Sequence, residues 1–148
     1  AYVYGIYAVS EEESRWFQWP VEGSNTISLS NPFGARWNPG GQAKTVHNGI
    51  YIPAERGTPV LAAADGVVRA AGSHKSYGNY LRILHADGDE TLYAHMQYLF
   101  VKAGARVTAG QTLGTVGQTG NATGAHLHFE ILHRGLRYDP AEALENAA

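Results

Sequence analysis

The chain has 148 residues, of which 44% are hydrophobic and 16% charged, and it contains no cysteine. This length suits one domain with its own core, and the lack of cysteine excludes disulfides, thiolate zinc clusters and a cysteine nucleophile. The net charge of -2 argues against a nucleic-acid partner, and no apolar run approaches the roughly 20 residues that span a bilayer. Eighteen glycines and nine tyrosines beside one methionine favour a turn-rich β protein.

The first thirty residues are expected to form strands and an aromatic cap. AYVYGIYAV alternates small and aromatic residues as a strand does, and it lacks the preceding basic segment of an intact signal peptide. The aromatic residues of RWFQW are interpreted as a lid over one end of the core. From Asn31 to Lys44 the chain is rich in Gly, Pro and Asn, which predicts a long surface loop. The sequence thus divides into residues 1–30 and a main region, 31–148, within one compact domain.

After His47 the chain becomes a series of short β-prone segments separated by turns that contain Gly or Asp. Runs such as GVVRAA, NYLRILH, ETLYAHM and HLHFEIL are typical of strands, and none keeps a helical period. At the tail, Asp139 can cap a helix that begins at Pro140 and covers AEALENA. The sequence therefore predicts an all-β fold: an antiparallel two-sheet β-sandwich with a groove on one sheet and a short C-terminal helix.

Two histidines flank a leucine in the segment HLH. On a strand, residues i and i+2 share one face, so His126 and His128 would project into one space while Leu127 points into the core. His47 and Tyr51 would also share a face if their segment is extended. Several histidines on strands, without cysteine, suggest an imidazole-rich zinc site that keeps water as a ligand.

The remaining histidines carry less information. His95 ends the β-prone run TLYAH and is a candidate for the same site. His74, His85 and His133 have no spacing that indicates chemistry, and they are interpreted as surface or turn residues.

Several segments, in one order along the chain, resemble the lysostaphin-type or LytM-like zinc endopeptidases, which cleave peptide bonds in bacterial peptidoglycan. They are HNGI, RGTPVLAAADGVV, YGNY, TLYAH and VKAGARVTAGQTLGTVGQTGNATGAHLHFEI. The resemblance covers about residues 31–141. It implies the duplicated hybrid motif fold, a bound Zn²⁺, peptidoglycan peptides as substrate and an extracytoplasmic location.

The metal motif of that family is His-x-x-x-Asp, followed much later by His-x-His. On this pattern His47 and His128 match two metal ligands. His95 and His126 match the pair that serves as general base and as stabiliser of the tetrahedral intermediate. Zinc lowers the pKa of a bound water and polarises the carbonyl, and an imidazole can then move the proton at neutral pH. Tyr51 stands where the family has Asp.

Glycines and one arginine are candidates for substrate binding. Gly117, Gly120 and Gly124 precede HLH, where they are expected to let the backbone approach an extended peptide closely. Arg36 lies in GAR, a sequence that the family also tends to show, and it would contact a substrate carboxylate or form a surface ion pair. The walls of the groove would be the loops 31–44, 73–79 and 117–125.

Tyr51 bears directly on activity. A carboxylate offsets one of the two charges of zinc, whereas a phenol is longer and must lose a proton before it becomes a good ligand. With His47 and His128 alone, the site has two protein ligands where catalytic zinc normally has three. Glu55 is the nearest carboxylate downstream, but it would face the other way on a continuous strand.

The sequence accordingly supports two functions on one fold. The first is zinc-dependent hydrolysis of stem or cross-bridge peptides in the cell wall, favoured by the four surviving histidines. The second is a catalytically inactive pseudo-peptidase that binds peptidoglycan peptides or activates another wall hydrolase, favoured by the missing carboxylate. A third interpretation, a biotinyl- or lipoyl-like carrier, is suggested by VKAGARVTAGQTLGTV. It lacks support because Lys102 precedes the wrong turn and Met96 is followed by Gln97.

Overall fold

Nearly all of the regular structure is antiparallel β-sheet around one hydrophobic core. The computed structural model describes residues 2–3, 6–7, 17–23, 34–37, 43–47, 49–120, 124–133 and 136–138. The strands are β1 (Tyr2–Val3), β2 (Ile6–Tyr7), β3 (Gly34–Trp37), β4 (Ala43–His47), β5 (Ile50–Pro53), β6 (Pro59–Leu61), β7 (Gly66–His74), β8 (Gly78–Leu84), β9 (Asp89–Leu99), β10 (Arg106–Val107), β11 (Thr112–Val116), β12 (His126–His133) and β13 (Leu136–Tyr138). A short 3-10 turn, Ala86–Gly88, joins β8 to β9.

Eleven of these strands form one hydrogen-bonded sheet. Its main path runs β1-β2-β13-β12-β9-β8-β7-β10, with β5 beside β12 and with β11 pairing both β9 and β6. The all-β prediction is confirmed. The predicted two sheets of the sandwich are joined by hydrogen bonds into one sheet, because β11 pairs with β6 on one edge and with β9 on the other. The predicted C-terminal helix lies outside the described residues. Within the described part of the chain, no helix has the length and apolar character needed to cross a membrane.

A separate two-stranded sheet occupies part of the segment predicted as a long loop. β3 and β4 pair antiparallel, with Ala35 opposite Val46 and Arg36 opposite Thr45. The loop prediction was wrong for these residues. Glycine, proline and asparagine are concentrated on both sides of ARW, and pairing with a partner strand decides whether so short a segment becomes β.

The central strands β9 and β12 alternate between the core and the opposite face of the sheet. Leu127, Phe129 and Ile131 of β12 are fully buried in the core. Tyr93 of β9 packs on Phe129 with ring centroids 5.4 Å apart, and its hydroxyl accepts a hydrogen bond of 3.0 Å from the amide of Ala63. Burial raises the pKa of Tyr93 to about 12. The even-numbered residues of β12 are thereby directed to the other face.

Residues 17–23 cover one end of the core. Phe17 and Val21 are buried, and the amide of Gln18 donates to the carbonyl of Ala63 at 2.8 Å. Val21 also forms an isolated bridge with Val60. These contacts agree with an aromatic lid, while the division of the chain at residue 30 stays a prediction.

Two histidines interpreted as surface or turn residues are buried. His85 is 8% exposed and His133 is 4% exposed. His85 places Nδ1 2.7 Å from the carbonyl oxygen of Asp65 and Nε2 2.7 Å from Thr91 Oγ1, and His133 Nδ1 lies 2.5 Å from Asp89 Oδ1. The surface interpretation was wrong because these partners, which make burial of an imidazole tolerable, lie on other segments of the fold and are not revealed by the local sequence pattern.

We expect the stability of the fold to depend on pH partly through His85. Burial lowers the pKa of His85 below its ordinary value of 6.5, against the opposing effect of the Asp65 carbonyl. The unfolded chain therefore binds the proton at higher pH than the folded chain, so stability is lost as the pH falls through 6.5. Urea unfolding from about pH 7.5 to about pH 5 should show a smaller loss in His85→Gln than in the parent or in exposed His74→Gln. Equal losses in all three would contradict this role.

Candidate active site

β12 brings two imidazoles to the face opposite the core. Leu127 points into the core, while His126 and His128 on either side both contact the ring of Tyr51. The ring centroids are 4.1 Å apart for His126 and 5.4 Å apart for His128. Tyr51 lies directly opposite His128 in the antiparallel pair of β5 and β12. The prediction that both histidines of HLH share one face is confirmed.

His95 joins this cluster from β9. Its ring centroid lies 5.2 Å from that of His126 and 5.9 Å from that of His128. Its φ of 62° lies in the left-handed region, and no other non-glycine residue in the described ranges has a positive φ. Its amide donates to the carbonyl of Tyr77 at 2.7 Å, and its Nδ1 lies 2.7 Å from the carbonyl oxygen of Thr119. Such a backbone conformation persists only where its surroundings hold it, as these bonds do.

The hydrogen bond to Thr119 decides which nitrogen of His95 carries the proton. A carbonyl oxygen only accepts, so Nδ1 donates and Nε2 is the basic nitrogen of the neutral ring. Burial lowers the pKa of His95; the bond to Thr119 opposes this shift and the neighbouring His128 adds to it. A neutral imidazole with a defined basic nitrogen can accept a proton from a reacting group near pH 7.

Thr119 itself is held by two strands and was not singled out by the sequence analysis. Its hydroxyl donates to the carbonyl of Met96 at 2.7 Å and accepts from the amide of Asn79 at 3.0 Å. The two adjoining loops approach so closely that a Cβ on Gly78 would overlap the backbone of Thr119. A Cβ on Gly120 would likewise overlap the backbone of Gly78. The loop before HLH is therefore locked against the turn before β8.

The three glycines proposed for substrate binding differ in their surroundings. A Cβ on Gly117 would lie 2.7 Å from the amide nitrogen of Gln97, and Gly120 has a φ of 73°. A Cβ on Gly124 would meet nothing within 4 Å. Gly117 and Gly120 are thus required by packing within the protein, and contact of any of the three with substrate stays a prediction.

Glu130 is a further residue of this face that the sequence analysis missed. It is 1% exposed, and its Oε2 lies 2.8 Å from His128 Nε2 and 2.8 Å from the hydroxyl of Tyr77. A carboxylate only accepts, so both His128 Nε2 and the Tyr77 hydroxyl donate to it. The signal was present in HLHFE, because Glu130 is two residues after His128 and so lies on the same face of the strand.

The prediction that His47 and Tyr51 share a face required both to lie on one continuous strand, and they do not. His47 ends β4 in the two-stranded sheet, whereas Tyr51 lies in β5 of the large sheet. The bend between them includes Gly49, where a Cβ would overlap the carbonyl of Phe129. The side chains of His47 and Arg36 lie outside what the structure describes, so their roles as metal ligand and substrate contact stay predictions.

The described donors fit a zinc ion in part. Because Nε2 of His128 donates to Glu130, a metal held by His128 would be bound through Nδ1. Across the described residues, no group of three or more His, Cys, Asp or Glu could hold a metal ion. Zinc accepts imidazole nitrogen and anionic oxygen, so this donor set would suit the ion if His47 and the oxygen of Tyr51 completed it.

Comparison with known proteins adds independent information on the family. The sequence pattern of the family described as peptidase family M23 matches residues 45–140. The DD-carboxypeptidase/endopeptidase Mpg of Neisseria meningitidis is 45% identical over 112 residues, which cover 76% of this chain and 26% of that protein. The peptidoglycan DD-endopeptidase ShyC of Vibrio cholerae is 46% identical over 100 residues, which cover 68% of this chain and 23% of that protein. The chain thus spans about a quarter of the length of these curated relatives.

Solved structures agree with this assignment. A zinc containing peptidase from Vibrio cholerae superimposes with a TM-score of 0.77 at 36% identity, covering 86% of this chain and 40% of that one. The catalytic domain of lysostaphin from Staphylococcus simulans superimposes with a TM-score of 0.69 at 29% identity, covering 82% of this chain and 92% of that one. With a family model that spans most of the chain and a common fold, the chain belongs to peptidase family M23.

Proposed function

We propose that this domain is a zinc-dependent endopeptidase that hydrolyses stem or cross-bridge peptides of bacterial peptidoglycan. The observation that carries the proposal is the grouping of His95, His126 and His128 around Tyr51 on one sheet face. Relatives named peptidoglycan DD-endopeptidases support the substrate class. A wall substrate also implies an extracytoplasmic location, in line with one relative that is named a lipoprotein.

The residues of this domain divide the chemistry between holding the ion and moving the proton. His128, with His47 and Tyr51, would hold zinc, which when bound acidifies water and polarises the scissile carbonyl. His95 and His126 have ring centroids 5.2 Å apart, so both can reach one reacting carbonyl group. One accepts the proton of the attacking water, and the other stabilises the charge that develops on the carbonyl oxygen.

Removing either proton-handling imidazole tests the proposal. We expect His95→Ala and His126→Ala each to lower the digestion rate by about 100-fold or more, because general acid–base groups contribute on that scale. The measurement is the release of soluble fragments from purified peptidoglycan, with zinc supplied, analysed by chromatography. The control is Lys102→Ala, at an exposed residue outside the cluster, which should leave the rate unchanged. Undiminished digestion by both variants would refute the assigned roles.

A second function, binding without hydrolysis, is favoured by one observation. The ring of Tyr51 packs at 4.1 Å on that of His126, in a site where the family places a carboxylate. In this case the domain would bind peptidoglycan peptides or activate another wall hydrolase. Sedimentation with insoluble peptidoglycan, without release of fragments at saturating zinc, would identify this function. Stimulation of an added wall hydrolase would separate activation from simple binding.

A further inference from the structure

We propose that Glu130 and Tyr77 are positioning residues that hold His128 so that its Nδ1 is presented to a metal ion. The inference rests on the proposed function, because it assigns His128 a metal to bind. It concerns two residues that lie outside the ligand pattern, one within β12 and one in the turn before β8.

Among the described residues of this face, Glu90 is buried as well as Glu130. Glu90 is held by the guanidinium groups of Arg69 and Arg82, and these bonds outweigh its burial, so that the pKa of Glu90 lies below its ordinary value. The contacts of Glu130 include an imidazole and a phenol. A carboxylate is rarely buried so deeply unless it is paired, and Glu130 is paired with His128. Here it orients the imidazole of His128.

Each of the three side chains contacts the other two. One carboxylate oxygen of Glu130 receives both the Nε2 proton of His128 and the hydroxyl proton of Tyr77. The ring of Tyr77 also stacks on that of His128, with centroids 5.8 Å apart and an interplanar angle of 30°. The first contact fixes which nitrogen of His128 is protonated, and the second restricts rotation of the ring. Together the two contacts leave Nδ1 unprotonated and hold it in one orientation, so that it is the nitrogen that can bind a metal.

Tyr77 extends this control to a second histidine. Its carbonyl accepts the amide hydrogen bond of His95, the residue with positive φ. The same turn residue thus contacts His128 by its side chain and His95 by its backbone. A carboxylate behind a metal-binding imidazole is the arrangement that fixes its tautomer and raises its basicity.

The first test measures the tautomer of His128 in zinc-free protein by nitrogen-15 NMR of the ring nitrogens, with signals assigned by comparison with His128→Gln. We expect the parent to show the Nε2-protonated form. Glu130→Met removes the acceptor and should give a mixture of both tautomers, whereas Glu130→Gln keeps a carbonyl acceptor and should restore most of the parent pattern. The matched control is Glu90→Gln, which changes a buried glutamate that does not contact His128 and should leave the tautomer unchanged.

The second test measures zinc dissociation constants by competition with a chromophoric chelator. We expect Glu130→Met to weaken zinc binding by about 10- to 100-fold, as is usual for the partner of a metal-binding histidine. Tyr77→Phe keeps the stacked ring and removes only the hydroxyl, so a smaller loss of zinc affinity is expected. This variant remains informative if Glu130→Met does not fold.

An unchanged tautomer in every folded variant would overturn the inference, as would unchanged zinc binding. If the parent itself binds no zinc, the proposed function fails, while the tautomer comparison still decides the positioning role.

Discussion

Replacing Tyr51 by aspartate is expected to raise the zinc affinity of the domain by more than about 100-fold. A residue that only hydrogen-bonds to a metal ligand contributes about 10- to 100-fold, and a ligand should contribute more. Tyr51 lies directly opposite His128 across the β5–β12 pair, at the position where the sequence motif predicts a carboxylate ligand. Aspartate would add an anionic ligand to the proposed ligands His47 and His128, without the need to deprotonate a phenol. It also removes the ring that packs on His126, which gives a substrate carbonyl access to that imidazole.

The measurement is zinc content per chain after dialysis against trace zinc, for the parent, Tyr51→Asp and Tyr51→Phe. The phenylalanine variant keeps the ring and removes the oxygen, so it isolates the phenol as a ligand. Zinc in the parent and in Tyr51→Asp, but not in Tyr51→Phe, would establish that the phenolate binds the metal. An empty parent beside a loaded Tyr51→Asp would refute the enzyme proposal, and binding of peptidoglycan peptides would become the function of this domain.

Replacing Gly120 by alanine is expected to destabilise the fold by about 3 kcal/mol, from two separate causes. A φ of 73° costs an L-residue roughly 1–2 kcal/mol. The added Cβ would lie 2.5 Å from the carbonyl oxygen of Ser76 and closer still to the amide nitrogen of Gly78. Both neighbours are backbone atoms that cannot rotate away, and forced overpacking adds roughly 1–3 kcal/mol. The adjoining carbonyl of Thr119 would move with the loop, and His95 would lose its orientation.

Two control variants separate these causes in urea unfolding. Gly88→Ala has a comparable φ of 79° with nothing within 4 Å of the added Cβ, so it carries backbone strain alone. Gly124→Ala lies in the same loop, and its Cβ also meets nothing within 4 Å, so a change within about 0.5 kcal/mol is expected. Equal losses for Gly120→Ala and Gly88→Ala would contradict the claim that the two loops are locked together.

Local rules of sequence predicted the elements that carry the histidines. Alternation along HLHFEIL correctly placed Leu127 in the core and His126 with His128 on the opposite face, because the two-residue period of a strand needs no knowledge of its neighbours. The same period places Glu130 beside His128, because the two residues are two positions apart on the strand. The short β-prone runs between glycine turns likewise indicated an all-β fold.

The sequence predicted less well the features that depend on contacts with another segment, such as strand pairing and the burial of polar side chains. The strands β3 and β4 lie in a segment whose glycine and proline content predicts a loop, and only their mutual pairing makes them β. His85 and His133 were expected at the surface, yet each finds a buried partner on another element. Burial of a polar side chain depends on such partners, which periodicity does not reveal.

The arrangement of the site was decided by tertiary structure. The sequence carries the residue types, including the tyrosine where the motif predicts a ligand carboxylate, and the alternation that directs two histidines to the face opposite the core. The tautomer of His95 depends on the carbonyl of Thr119, 24 residues away. The proposed positioning of His128 depends on Glu130, which accepts a hydrogen bond from Tyr77, 53 residues away. These contacts exist because strand register and loop packing bring distant segments together, and register is a property of the whole sheet rather than of any one strand.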